Sequence, residues 1–236
     1  MIRQFSLKII EYIKYCFIDP ADDDEILPEL ELKYFNMAGI AECIRLALKY
    51  SAIPFEDIRI SKEKFSQIKQ SLLFGQVPQL IVDEDEEIHQ SKAILRYVGR
   101  LGHLYPSKEP LNGAIVDQWI ELHSEFMFPL TMSMYPEKMG LELNENDKKK
   151  HRVWCISTHI PKYLDFLEKE LDTEQFLGAM DEPSIADFCW LPTLQWLTSS
   201  KFDGLPPDIL NDYNNLTYYK LNLEHILEEE ASDSES

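Results

Sequence analysis

The chain has 236 residues and a formal net charge of −19, which makes nucleic acid and anionic membrane surfaces poor partners for it. Its 44% hydrophobic and 11% aromatic content is that of an ordinary soluble globular protein, long enough for one large domain or two small ones around a sizeable core. The four cysteines, Cys16, Cys43, Cys155 and Cys189, are scattered with no Cys-x-x-Cys pair or metal-ligand spacing. A disulfide framework and a zinc site are therefore not expected, no metal is predicted, and a reducing, cytoplasmic setting is the default.

Residues 1–28 read as an N-terminal extension. Ile2, Phe5, Ile9, Ile10, Ile13, Phe17 and Ile18 fall on one face of a helical pattern. Arg3, Lys8, Glu11 and Lys14 interrupt it too often for a membrane span, and it lacks the apolar core and cleavage site of a secretory signal. The acidic run Asp22 to Glu25 closes the extension.

From there Leu32 to Phe35 reads as a strand, Ala41 to Tyr50 as a helix, and Phe55 to Ile60 as an alternating strand after the break at Pro54. Ser61 is the expected N-cap of a helix over Lys62 to Ser71. A loop over Phe74 to Pro78 leads into a hairpin, Gln79 to Val82 and Glu87-Ile88, across an acidic turn at Asp83 to Glu86. A third helix is predicted from about Gln90 to Leu101. The order βαβ then ββα describes a small mixed sheet with helices over residues 29–103, the first half needing a right-handed crossover. Residues 104–112, with Pro106 and Pro110, read as a linker, and residues 113–227 show only helical patterns. The expectation is thus a small α/β domain followed by a larger all-α one, and then an acidic, disordered tail over 228–236.

Two stretches carry chemistry. Tyr34 ends the first strand, and Asn36-Met37-Ala38-Gly39 leads from it toward a helix N-terminus. A phenol in that place lies beside an anion-binding helix end, and its hydroxyl stabilises a thiolate over a thiol. In the second stretch, Pro78 stands at a strand start. If the Val77–Pro78 bond is cis, the backbone N–H and C=O of Val77 are left to pair with a peptide ligand. Gln90-Ser91 then supplies a helix N-terminus suited to a carboxylate, with the Ser91 hydroxyl as an added donor. Taken singly, each of these residues has an ordinary structural use as well: a packed ring, a proline turn, a helix start.

In combination the motifs are specific. Tyr34-Phe35-Asn36-Met37, Gly39, Ala41-Glu42 and Ile44-Arg45 come first, then Phe55-Glu56-Asp57 with Arg59-Ile60, then Phe74-Gly75 with Val77-Pro78 and His89-Gln90-Ser91. With Pro183-Ser184-Ile185-Ala186-Asp187-Phe188 they make residues 30–227 resemble the cytosolic glutathione S-transferases, most closely the sigma class. The resemblance implies a thioredoxin-like domain joined to a helical-bundle domain, usually as a homodimer, and glutathione as co-substrate. It implies Tyr34 as the catalytic tyrosine, Val77 as the partner of the cysteinyl backbone and Pro78 as the cis-proline. Gln90 and Ser91 match positions that bind the γ-glutamyl group. Lys69 and Gln76 match contacts to the glycyl end, Phe65 stands where sigma members commonly have tryptophan, and Glu121 stands where an aspartate reaches across the dimer. Ser184 and Asp187 match a helix-capping box. Met37, Ala38, Phe128 and Met132 are the candidates for an apolar wall that holds a hydrophobic electrophile.

The chain departs from the pattern in three places. Ile40 replaces an arginine beside the tyrosine, Phe128 replaces a tryptophan, and Glu121 is one methylene longer than the usual aspartate. The expected function is conjugation of the glutathione thiolate to electrophilic small molecules, in detoxification. The alternatives are a structural, crystallin-like member of the same fold and a glutathione-dependent prostaglandin isomerase. A thiol–disulfide oxidoreductase would need a cysteine at the first helix N-terminus, where the sequence has Met37 and Ala38.

Overall fold

A computed structural model describes residues 27–178 and 180–233. The N-terminal half runs β1 (Leu30–Phe35), α1 (Glu42–Tyr50), β2 (Glu56–Ile60), α2 (Lys62–Ile68), β3 (Gln79–Val82), β4 (Glu86–His89) and α3 (Ser91–Leu101). The sheet order is β2-β1-β3-β4: β2 runs parallel to β1, while β3 is antiparallel to both β1 and β4. This is the expected thioredoxin-like layer. In β1 the side chains alternate between buried and half-buried, so Leu30, Leu32 and Tyr34 share the inner face. In α1 the buried residues Cys43, Ile44, Ala47 and Leu48 make one stripe.

The second half is helical: α4 (Pro110–Met134), α5 (Glu145–Trp154), α6 (Ile160–Glu170), α7 (Ile185–Leu197) and α8 (Asn214–Asp233), with a π-helical turn at Cys155–His159 between α5 and α6. One continuous hydrophobic cluster runs from Leu30 and Leu32 through α1 and α3 into Trp119, Phe188, Trp190 and Leu223, so the two halves share a core. At their junction the Tyr50 and Phe188 rings lie 5.1 Å apart, and the Ile185 N–H donates to Leu104 O at 3.0 Å. Lys92 Nζ also crosses the junction, meeting His123 Nδ1 at 3.0 Å and the Cys189 sulfur.

Several boundaries differ from the sequence expectation for local reasons. β1 begins at Leu30 because that residue pairs with Val82, and β4 begins at Glu86 because the turn closes within Asp83 and Glu84, both at positive φ. α2 has the expected Ser61 cap, whose hydroxyl accepts from the Lys64 N–H at 3.1 Å, but it ends at Ile68, where the Ser71 N–H tightens onto Ile68 O. α3 starts at Ser91, since Gln90 has φ +72°. α4 opens at Pro110, within the stretch read as linker, where proline's fixed φ suits the first helical turn. The acidic tail expected to be disordered from 228 instead continues α8 to Asp233, seeded by the packed residues Leu216, Tyr219 and Leu223. Residues 234–236 and all but the last two residues of the N-terminal extension lie outside the described residues.

The capping box at the start of α7 is present. Asp187, fully enclosed, accepts from the N–H groups of Leu177 and Ser184 at 2.8 and 2.7 Å, from the Ser184 hydroxyl at 2.9 Å and from Tyr219 Oη at 2.7 Å.

Candidate functional site

Tyr34 sits at the end of β1, 7% exposed, in a small hydrophobic cluster with Ala41, Ile60, Leu72 and Val77, flanked by Phe35 and Phe65. The Tyr34 and Phe35 rings meet edge to face at 5.4 Å, as do Phe35 and Phe65 at 5.2 Å. The loop after β1 folds back over the phenol. Gly39, at φ +52°, passes so close that a Cβ there would come within 2.6 Å of the Tyr34 oxygen. Burial raises the phenol's pKa above its ordinary value, while the Ile40 N–H and the nearby Arg45 pull it down. Tyr34 therefore holds its proton at neutral pH and is a hydrogen-bond donor to whatever anion lies beyond its oxygen.

The second stretch comes together on the same side. The Val77–Pro78 peptide bond is cis. Val77 joins the Tyr34 cluster through its side chain, and among the described residues no backbone hydrogen bond is formed by its N–H or C=O. Gln76 and Gln90 are joined side chain to side chain at 3.2 Å. Gln90 has φ +72° and ψ 115°, a conformation rarely adopted by a residue with a side chain. It presents the start of α3, where Ser91 is the first residue and no side chain caps the helix. Lys69, exposed at the end of α2, has its aliphatic stem against Gly75. Tyr34, Phe65 and Val77-Pro78 thus meet where β1 ends and β3 begins, in the middle of the sheet, with Lys69 beside Gly75 and with Gln76 linked to Gln90 just before Ser91, so that a donor phenol, an unpaired backbone segment and an open helix N-terminus lie in these stretches.

The remaining expected residues are placed differently. Glu121 is exposed on α4 and accepts from Arg96 at 2.8 Å, while Arg96 also binds Asp117 at 2.7 Å. Met37 is exposed, and its carbonyl and that of Ala38 accept from Arg45 at 3.2 and 3.1 Å. Met132 is half-buried on α4. Phe128, 58% exposed, lines a groove of about 550 Å³ with Pro129, Trp154, His159, Lys162 and Tyr163. Every residue lining that groove belongs to the helical half, so it does not unite Phe128 with Met37 and Ala38. Sequence reasoning missed Tyr135, which acts electrostatically on Tyr34, whereas Ile40, already singled out beside the tyrosine, has an exposed side chain. Tyr135 gives one local signal: it ends a long helical pattern just before Pro136.

Among the described residues the thiols do not compete for a role at this site. Cys43 is enclosed in α1, donates to Ile40 O at 3.4 Å and has its pKa pushed up to about 12 by burial. Among the described residues no cluster of His, Cys, Asp and Glu is disposed to hold a metal ion, and no helix is long and apolar enough to cross a membrane.

Comparison with known proteins gives concordant matches. The family model for the N-terminal domain of glutathione S-transferase matches residues 30–100, and the model for the C-terminal domain matches residues 141–219. The chain is 41% identical over 184 residues to glutathione S-transferase P of Caenorhabditis elegans, covering 75% of this chain and 82% of that protein. It is 34% identical over 191 residues to the hematopoietic prostaglandin D synthase of Rattus norvegicus, covering 80% and 87%. Among solved structures it is similar to prostaglandin synthase D of Nilaparvata lugens, with a TM-score of 0.71, 28% identity, and coverage of 83% of this chain and 92% of that one.

Proposed function

We propose that this chain, which belongs to the glutathione S-transferase family, binds glutathione along the edge formed by Val77, Gln90 and Ser91 and uses Tyr34 to stabilise its thiolate for attack on a hydrophobic electrophile. The single observation that carries this reading is the pairing of a buried, protonated phenol at the end of β1 with an unpaired Val77 backbone in the same cluster. An extended peptide adds to such an edge as a further strand. Ser91 and the free N–H groups at the start of α3 receive the γ-glutamyl carboxylate, and Gln90 orients it. Lys69 and Gln76 take the glycyl end, with Phe65 packed behind. A sulfur at the cysteinyl position then receives the Tyr34 hydroxyl proton as a hydrogen bond, which favours thiolate over thiol and makes the nucleophile available near neutral pH.

Met37, Ala38, Phe128 and Met132 remain the proposed contacts for the electrophile, to which the exposed Ile40 and Tyr135 beside Tyr34 are added. Assignment to the sigma class, a cytoplasmic, detoxifying role and a homodimer in which Glu121 reaches the partner's ligand belong to the same proposal. Prostaglandin isomerisation is the second reading, favoured by the 34% identity to a prostaglandin D synthase. The deciding experiment is a glutathione-dependent activity panel on the wild type and Tyr34→Phe, with and without residues 1–28, including conjugation, peroxide reduction and prostaglandin H2 isomerisation. Conjugation that falls in Tyr34→Phe while glutathione affinity is kept supports the first reading. A folded wild type that does not bind glutathione refutes it in favour of a structural member of the fold.

A further inference from the structure

Arg45 on α1 is 1% exposed, and its contacts converge on the loop that covers Tyr34. Its Nη1 donates to Met37 O at 3.2 Å, to Ala38 O at 3.1 Å and to Glu42 at 2.9 Å. Its Nε lies 3.2 and 3.1 Å from the two Asp57 oxygens, and its buried Nη2 has no partner among the described residues. Its Cζ stands 5.7 Å from the centroid of the Tyr34 ring. Arg59 on β2 reaches the same loop: Nη1 donates to Met37 O at 3.1 Å and Nε to Asp57 at 2.7 Å. Asp57 thus bridges two arginines, and both arginines grip the carbonyl just before the Gly39 turn.

We infer that Arg45, Asp57 and Arg59 are positioning residues for Tyr34, clamping the Met37–Ile40 loop where Gly39 passes against the phenol oxygen. The geometry gives the clamp a chemical consequence. A loop held against the phenol oxygen on one side leaves the hydroxyl proton the side away from the loop. The groups that act on the phenol are Arg45 and Cys43 from α1, the Ile40 N–H, and Tyr135 from the end of α4, and Arg45 is the cation among them. At position 40, where the resemblance expects an arginine, this chain has Ile40, and Arg45 brings positive charge to the ring from behind. The effect on turnover rests on the reading of Tyr34 as the group that stabilises the glutathione thiolate, whereas the clamp itself does not.

The test therefore uses a readout that needs no glutathione. Protein labelled with 13C at the tyrosine ζ carbon is titrated to alkaline pH, the Tyr34 signal being assigned with Tyr34→Phe. Arg59→Met, at a largely polar and partly exposed position, raises the Tyr34 midpoint by about half a pH unit or more, because a loosened loop takes the Ile40 N–H, which lowers the phenol's pKa, away from it. Arg45→Met raises it further, and Arg59→Lys restores part of the shift. With glutathione, Arg59→Met lowers kcat about threefold or more while KM changes little. A folded Arg59→Met whose Tyr34 midpoint equals that of the wild type overturns the clamp, whatever the fate of Arg45→Met. A shifted midpoint in a protein without glutathione turnover supports the clamp and refutes the glutathione reading.

Discussion

At Gly39 the absence of a side chain determines how close the backbone comes to the phenol. A Cβ there would lie 2.6 Å from the Tyr34 oxygen, and the residue holds φ +52°, so alanine meets both a clash and a strained backbone. Gly39→Ala is expected to destabilise the chain by about 1–3 kcal/mol and to lower conjugation by more than the stability loss explains. Urea unfolding and kcat measured on the folded fraction check this, and a fully active variant of wild-type stability contradicts it. The place of Tyr34 near a strand end, the cis Val77–Pro78 bond and the helix start at Ser91 were legible in the sequence because each depends on residues within a few positions. Arg45, Arg59 and Tyr135 stood in plain view without a role. Their partners on the loop and the ring are brought near only by pairing of β1 with β2 and by packing of the helical half.

Among elements, α7 shows how a cap can link distant segments. Asp187 gathers donors from Leu177, Ser184 and Tyr219, yet burial raises its pKa to about 6 against those hydrogen bonds. In the unfolded chain an aspartate titrates near pH 4, so between about pH 4 and 6 the folded state holds a proton that the unfolded state has lost. The Asp187 contribution to stability therefore declines as pH rises through that window, by up to about 1.4 kcal/mol per pH unit. Asp187→Asn, which does not titrate, should cost most near pH 4 and less near pH 7. Unfolding free energies of both proteins across that range decide it, and a cost that grows toward pH 7 contradicts the assignment. The cap was legible from Ser184 and Asp187, three residues apart. The π-helical turn at Cys155–His159 was not, since it fits α4 from across the bundle: His151 and His159 lie within hydrogen-bonding distance of the carbonyls of Pro129 and Phe126, at 3.0 and 2.9 Å.

At the scale of the molecule the two halves behave as one packed body, because the main core crosses from the sheet into α7 and α8. The order of elements and the split between an α/β layer and a helical bundle followed from the hydrophobic period and from Pro and Gly punctuation. The proposed electrophile contacts could not be read in that way, because Met37 and Ala38 lie on the loop after β1 and Phe128 and Met132 on α4, and no local pattern encodes the relative placement of the two. The proposed homodimer predicts a sedimentation mass of about twice 27.7 kDa at micromolar concentration, and a mass near 27.7 kDa throughout would remove Glu121 from its proposed role.

The account depends above all on Tyr34 acting on a bound thiol, and the ultraviolet difference spectrum of the glutathione complex near neutral pH reads that directly. The wild type should show the thiolate band near 240 nm at a pH where free glutathione has little, while Tyr34→Phe binds glutathione with similar affinity by calorimetry and loses most of the band, about 1–3 kcal/mol of hydrogen-bond stabilisation having been removed. Equal thiolate bands in the two glutathione complexes, or no binding by the folded wild type, would contradict it.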